Sequence, residues 1–332
     1  MKPQTLPQAP ATSLPGASAV PWRAVVLGLL ALAALAMPLY AGATGNAYAV
    51  ALASRVLVYA LAAVGLNLAL GFGGMVSMGH AMYLGLGAYT VLLMGEQGWV
   101  DGWLQLLVMV VAVGAVAALV GWIALRTQGI AFIMITLAFA QLFFFLFVSL
   151  KAFGGDEGMS LHSPSGFGAL TGNRTALYYC LLAALAAAVY GTHRLVRSRF
   201  GLVLRATKAN ERRVKAVGTA PLPYRLAAYV LSAQVCALAG FFLANLSGFV
   251  SPATMAWTVS GELIVMVVLG GVGTVAGPVA GAAALLLLEE LLKGWTDHWP
   301  VVLGPLIVAM VLLLRRGLWG LLPESARPEA RR

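Results

Sequence analysis

Apolar residues fill ten long stretches of this chain, at about 24–42, 47–70, 80–95, 104–125, 129–150, 175–194, 223–246, 260–272, 276–293 and 300–315. Crossing the ~30 Å hydrocarbon core of a bilayer takes about 20 residues of helix, so this pattern predicts an all-α polytopic membrane protein with about ten transmembrane helices. Most neighbouring stretches are parted by polar or charged residues, but two of the breaks are made of glycine. The first, within Leu66–Thr90, carries Gly71, Gly73, Gly74 and Gly79; the second carries Gly270, Gly271, Gly273 and Gly277. After each, small residues recur at helical spacing, Ala81, Gly85 and Ala88 in one case and Gly277, Gly281 and Ala284 in the other. Two glycine-interrupted helix pairs with close-packing faces are therefore expected. At membrane depth such a break lets backbones approach and frees backbone groups to face a cavity.

Composition agrees with this class. Hydrophobic residues make up 61% of the chain and charged ones 10%, with a mean hydropathy of +0.90, against about 25% charge in a soluble domain. A net charge of +10 raises the question of nucleic acid, and the placement of the charges answers it. With the N-terminus inside, 17 of the 21 basic residues fall on the inner side of a ten-span chain, leaving Lys151, Arg174 and Lys293 outside and Arg55 within a span. That is the positive-inside pattern, and it predicts both termini inside. All eight tryptophans fall at membrane boundaries under the same assignment, Trp99, Trp103, Trp257, Trp295 and Trp299 outside and Trp22, Trp122 and Trp319 inside. Net charge thus reports topology, and a nucleic-acid partner is set aside. Residues 1–22 read as a disordered cytoplasmic tail without a cleavable signal, 23–318 as the transmembrane domain and 319–332 as a cytoplasmic tail. Cys180 and Cys236 both lie in apolar runs, so neither a disulfide framework nor a metal site is expected.

Few residues carry chemistry. The largest inner loop, 195–222, is strongly basic; within it Asn210 and Glu211 read as a helix start, with a capping amide and an acid at the positive end of the dipole, and Gly218 reads as the left-handed stop just after Val217. Val214 and Val217 share one side of that short helix, while Arg212 and Lys215 largely point elsewhere. Such a segment suits a partner at the cytoplasmic face, or a basic loop held by anionic lipid. The outer Gly154-Gly155-Asp156-Glu157-Gly158 run lacks the length and ligand spacing of a calcium loop and reads as a turn facing an extracellular partner. No Gly-x-x-x-x-Gly-Lys occurs in the chain, so the glycine breaks are not phosphate-binding loops. Polar residues within spans default to functional candidates. Asn67, Gln141, Gln234 and Asn245 are the amides that could line a pathway, although an amide also bonds readily to a neighbouring helix. Arg55 and the outer glutamates can snorkel, and His80 suits a neutral imidazole bridging helices. There is no relay of paired acids or histidines for a proton-coupled pump and no nucleophile with a base, so no catalytic residue is assigned.

The motifs Leu66-Asn67-Leu68, Gly71 through Ala81 and Gly85-Leu86-Gly87-Ala88-Tyr89 resemble the signature of LivM-type permeases of branched-chain amino acid ABC importers. So do Ser198-Arg199-Phe200-Gly201, Asn210-Glu211 to Gly218, Gly248 to Pro252, and Ser260-Gly261-Glu262 running into Gly270 through Pro278. Together they cover roughly 47–315 in the family's order. The resemblance implies an inner-membrane permease subunit paired with a homologous permease, two cytoplasmic ATPases that hold ATP and Mg, and a periplasmic solute-binding protein; this chain itself would bind no cofactor. It also implies that Glu211–Gly218 docks into the ATPase. Arg212 and Arg213, where the pattern has small residues, the Pro-rich N-terminus and Arg55 depart from it. A permease for urea or a small amide shares these glycine motifs, and an ATP-independent channel or secondary carrier is the alternative of another class.

Overall fold

The computed structural model describes residues 22–45, 47–168, 174–313 and 317–321. The expected N-terminal tail, apart from Trp22, lies outside the described residues, as do Arg315, Arg316, Arg327, Arg331 and Arg332.

All ten apolar stretches form helices. Numbered in chain order, these are α1 (Trp22–Thr44), α2 (Ala47–Asn67), α3 (His80–Glu96), α4 (Gly102–Ala124), α5 (Ile130–Ser149), α6 (Arg174–Arg197), α7 (Arg199–Ala209), α8 (Glu211–Ala216), α9 (Pro221–Ser247), α10 (Trp257–Gly270), α11 (Gly277–Lys293), α12 (Trp299–Leu313) and α13 (Gly317–Leu321). Among the described residues, seven helices are long and apolar enough to cross a membrane. The other three from the apolar stretches, α3, α10 and α11, have 17, 14 and 17 residues. All three flank a glycine break. Their length is lost to the break, and they are held by protein on most sides instead of by lipid.

The centre of the molecule is α9, packed against α2, α3 and α4. Proline at its first turn and Gly248 beyond its last, in the left-handed conformation, set its ends. Helices packed in lipid gain nothing from hiding apolar side chains from water, so they associate by bringing backbones close. Here α3 and α9 do so through Gly87 and Gly240: a Cβ on Gly87 would fall 1.9 Å from the Ala237 carbonyl oxygen, and one on Gly240 1.7 Å from that of Leu84. The α10–α11 pair repeats the device, since a Cβ on Gly281 would sit 1.9 Å from the Met266 carbonyl oxygen. By contrast α4, α5 and α12 leave large apolar side chains such as Leu107, Phe145 and Leu312 exposed, as lipid-facing helices do.

Polar residues tie this core together. His80, fully buried, bridges α3 to α9: the Ser232 hydroxyl donates to the Gly65 carbonyl at 2.6 Å and accepts from His80 Nε2 at 2.8 Å. That geometry requires a proton on Nε2. A two-residue antiparallel pair, Met159–Ser160 with Phe249–Val250, holds the loop after α5 against the end of α9.

Replacing Gly240 with valine is expected to push α3 off α9 and, on the scale of core overpacking, to cost about 1–3 kcal/mol or more. Thermal unfolding of the detergent-solubilised protein, followed by size-exclusion profile, should show a lower midpoint and a smaller folded fraction than for Gly191→Val, whose site is open.

Candidate functional site

The two glycine breaks meet. Helix α2 continues past Asn67 as a wider π-type turn, Leu68–Phe72, before the chain leaves helix for residues 73–79. The second break, residues 271–276, separates α10 from α11. Fully buried Asn67 joins them: its Oδ1 accepts from the Gly273 amide at 3.0 Å and its Nδ2 donates to the Thr274 carbonyl at 2.8 Å. Helix ends and loops leave backbone groups that water would satisfy at a surface; at depth a side chain has to do it. One amide supplies both a donor and an acceptor.

The glycines around this junction have separate tasks. Gly71 must lack a side chain because a Cβ there would lie 2.0 Å from Asn67 Oδ1 and 2.6 Å from the Gly273 nitrogen. Gly74 and Gly273 both have positive φ, 69° and 76°, which side chains disfavour. Gly79 backs onto Thr136 of α5, and Gly85 onto Met255. In the second break Gly270 and Gly277 press on one another's backbones, and α13 closes over them where Gly317 approaches Gly271.

The basic loop reaches the junction. Lys208, near the end of α7, donates its ammonium to the Gly71 carbonyl at 2.6 Å, its stem lying over Gly74. Beyond it Asn210 caps α8, accepting from the Arg213 amide at 3.1 Å, and Gly218 turns the chain with φ 84°. Glu211 is the hub of this face. Its carboxylate receives Lys215 at 2.8 Å, Arg225 at 3.3 Å and the Gln128 amide at 2.7 Å, so one acid ties α8 to α9 and to the α4–α5 loop. The hydrogen bond from Lys215, with the pull of Arg225 and Gln128, outweighs burial and holds its carboxyl below the usual range. Glu211 is therefore ionised at neutral pH. Arg212, Arg213 and Val217 are exposed, Val217 at 84%, and a cleft lined by Arg126, Gln128, Glu211, Lys215 and Pro221 opens beside them.

The remaining amides are spread through the fold. Gln234 donates to the Val110 carbonyl at 2.7 Å, tying α9 to α4, and Asn245 accepts from the Ser165 amide at 2.8 Å, pinning the loop between α5 and α6. Gln141 lies half-buried on α5. Sequence reading did not single out Lys208, Gln128 or Gly240, and marked Gly87 only as part of a motif, not as a packing site. Lys208 and Gln128 carried no distinguishing local pattern, while the glycine pair was legible only as ordinary small residues.

A family model for the permease component of the branched-chain amino acid transport system matches residues 48–314, a range that includes both breaks, the basic loop and the helices between. The chain belongs to that family. It is 26% identical over 293 residues to the high-affinity branched-chain amino acid transport permease LivM of Escherichia coli K12, covering 80% of this chain and 69% of the relative. LivM of Salmonella typhimurium is 25% identical with the same coverage, and LivH of Escherichia coli K12 is 24% identical over 285 residues, 79% of this chain and 91% of the relative. No solved structure matches. This permease is accordingly a multi-pass protein of the inner membrane.

Asn67→Leu is expected to leave the Gly273 amide and the Thr274 carbonyl without partners, at about 1–3 kcal/mol for each. The purified permease should melt at a lower temperature than wild type. Hydrogen exchange at Gly273 should rise with it, and a variant with neither change would show that the bridge is dispensable.

Proposed function

We propose that this chain is one of two homologous permease subunits of an ATP-driven importer for branched-chain amino acids, joined by two cytoplasmic ATPases holding ATP and Mg and fed by a periplasmic binding protein. The family match across 48–314 carries the reading. Similarity to both LivM and LivH supports the pairing of homologous permeases, because one scaffold serves both relatives.

In this reading the chain crosses the membrane ten times with both termini inside, α3, α10 and α11 acting as short crossings beside their breaks. At 1.5 Å per residue they are about 21–26 Å long, close to a hydrocarbon core that they share with protein. The bond from Lys208 to Gly71 supports placing the first break on the same side as the basic loop. The second break, bridged to it by Asn67, then lies there too.

Transport follows as alternating access. ATP binding draws the ATPases together, the α8 segment docked on them moves, and the helices flanking the glycine breaks re-pack so that a central path opens to one side at a time. The exposed Arg212, Arg213 and Val217 supply charge and an apolar contact for that docking. Arginines of this kind favour an acidic surface on the ATPase. The glycines act as joints, and selection of the solute rests chiefly with the binding protein.

Radiolabelled uptake into proteoliposomes holding the complete complex tests the assignment. Leucine should accumulate only with ATP inside and binding protein outside. Urea uptake would reassign the substrate, and accumulation by the permeases alone would make the chain a carrier or channel. Glu211→Ala, which frees Lys215 and Arg225, should leave assembly intact and lower leucine moved per ATP by about 5–150-fold, the range of a 1–3 kcal/mol coupling.

A further inference from the structure

Helices α2 and α11 are tied at two levels. At the outer level Arg55 Nη2 donates to Glu289 Oε1 at 3.2 Å, and the Tyr48 hydroxyl donates to the Glu290 carboxylate. At the inner level Asn67, at the end of α2, holds Gly273 and Thr274 just before α11 begins. Twelve residues separate Arg55 from Asn67, about 18 Å of helix. Two helices bonded at points that far apart cannot swing or slide against each other without breaking one set of bonds. They move as one body.

Lys208 is the point where the basic loop grips that body. Its ammonium sits on the Gly71 carbonyl, at the C-terminal end of the α2 helix, where unpaired carbonyls concentrate negative charge and a cation is favoured. Among the described residues Lys208 has no carboxylate within ion-pair distance; Glu211, three residues on, is occupied by Lys215 and Arg225. The lysine is thus committed to the backbone of the break. On the other side, Asn210 ends α7 and caps α8 with a single extended residue, φ −161°, so the two helices share one corner with no slack between them. A shift of α8 is passed to α7 and then to Lys208.

We propose that Lys208 is the positioning residue that converts movement of the α7–α8 corner into movement of the α2–α11 body, and that Asn67 carries the displacement on from the first break to the second. This rests on the reading above in which α8 docks on an ATPase. It adds a defined order to that reading: corner, first break, second break. The amide of Asn67 is the polar link between the first break and the second.

Hydrogen–deuterium exchange on the full complex in nanodiscs, with and without a non-hydrolysable ATP analogue, tests this. In wild type, peptides covering 71–79 and 271–276 should both change exchange when nucleotide is added. Lys208→Met should reduce both responses at least fivefold while the ATPase subunits still respond, and Lys208→Arg, which keeps the cation, should restore most of them. Lys208→Gln, keeping a donor without the charge, is the second variant if the methionine form assembles poorly, and it should fall nearer methionine than arginine. Asn67→Ala should weaken the transfer between the two breaks, with 71–79 responding as in wild type and the response of 271–276 reduced. Unchanged responses in the Lys208 variants, a second break that answers as fully in Asn67→Ala as in wild type, or a wild type in which neither break responds would each overturn the proposal. Since no transported solute enters this measurement, failure of leucine uptake would count against the substrate and leave this result standing.

Discussion

A polypeptide that breaks its helices inside a membrane protein has to find partners for the backbone groups it exposes, because hydrocarbon offers none. Here the requirement is met, where the two breaks come together, by one side chain. Asn67 accepts from Gly273 in the second break and donates to the next residue, and in doing so links the end of α2 to the turn between α10 and α11. Gly71 has no side chain so that this amide can reach across, and the π-type turn that follows Asn67 widens the helix just where the second break comes in. The two interruptions form one joint shared by two helix pairs.

Around the joint the packing follows from the same solvent. Close approach of backbones substitutes for hydrophobic burial as the source of helix association, hence the glycine-to-carbonyl contacts of α3 with α9 and of α11 with α10. Such contacts are specific in distance but hold no bulky knob in a hole. A scaffold of this kind is well suited to small re-packing movements about fixed pivots, with polar bonds at the pivots. His80 with Ser232, Gln234 with Val110 and Asn245 with Ser165 are three of them.

The basic loop uses charge for the same purpose. Glu211 collects Lys215, Arg225 and Gln128, so the short helix that carries it is anchored on the outside of the bundle while its arginines and Val217 remain free for a partner. Lys208 joins this polar face to the joint within. Rigid anchoring of α8 and a direct grip on the break are what a segment needs if force applied to it is to be felt inside the membrane.

Much of this was legible in the sequence, and the division has a physical cause. The number and places of the apolar helices, the two breaks, the Asn210 cap and the Gly218 stop could all be read because helix formation and termination depend on residues within about a turn of each other. The sequence alone therefore determined the class, the helices and the local shape of the basic loop. It did not determine that Asn67 meets Gly273, 206 residues away, or that Lys208 ends on Gly71 and Gly240 on Leu84. An asparagine that lines a pathway and one that bridges two loops have the same side chain and the same apolar neighbours in sequence. Which of these it does is settled only when the chain folds and places a particular set of unpaired backbone groups within hydrogen-bond reach.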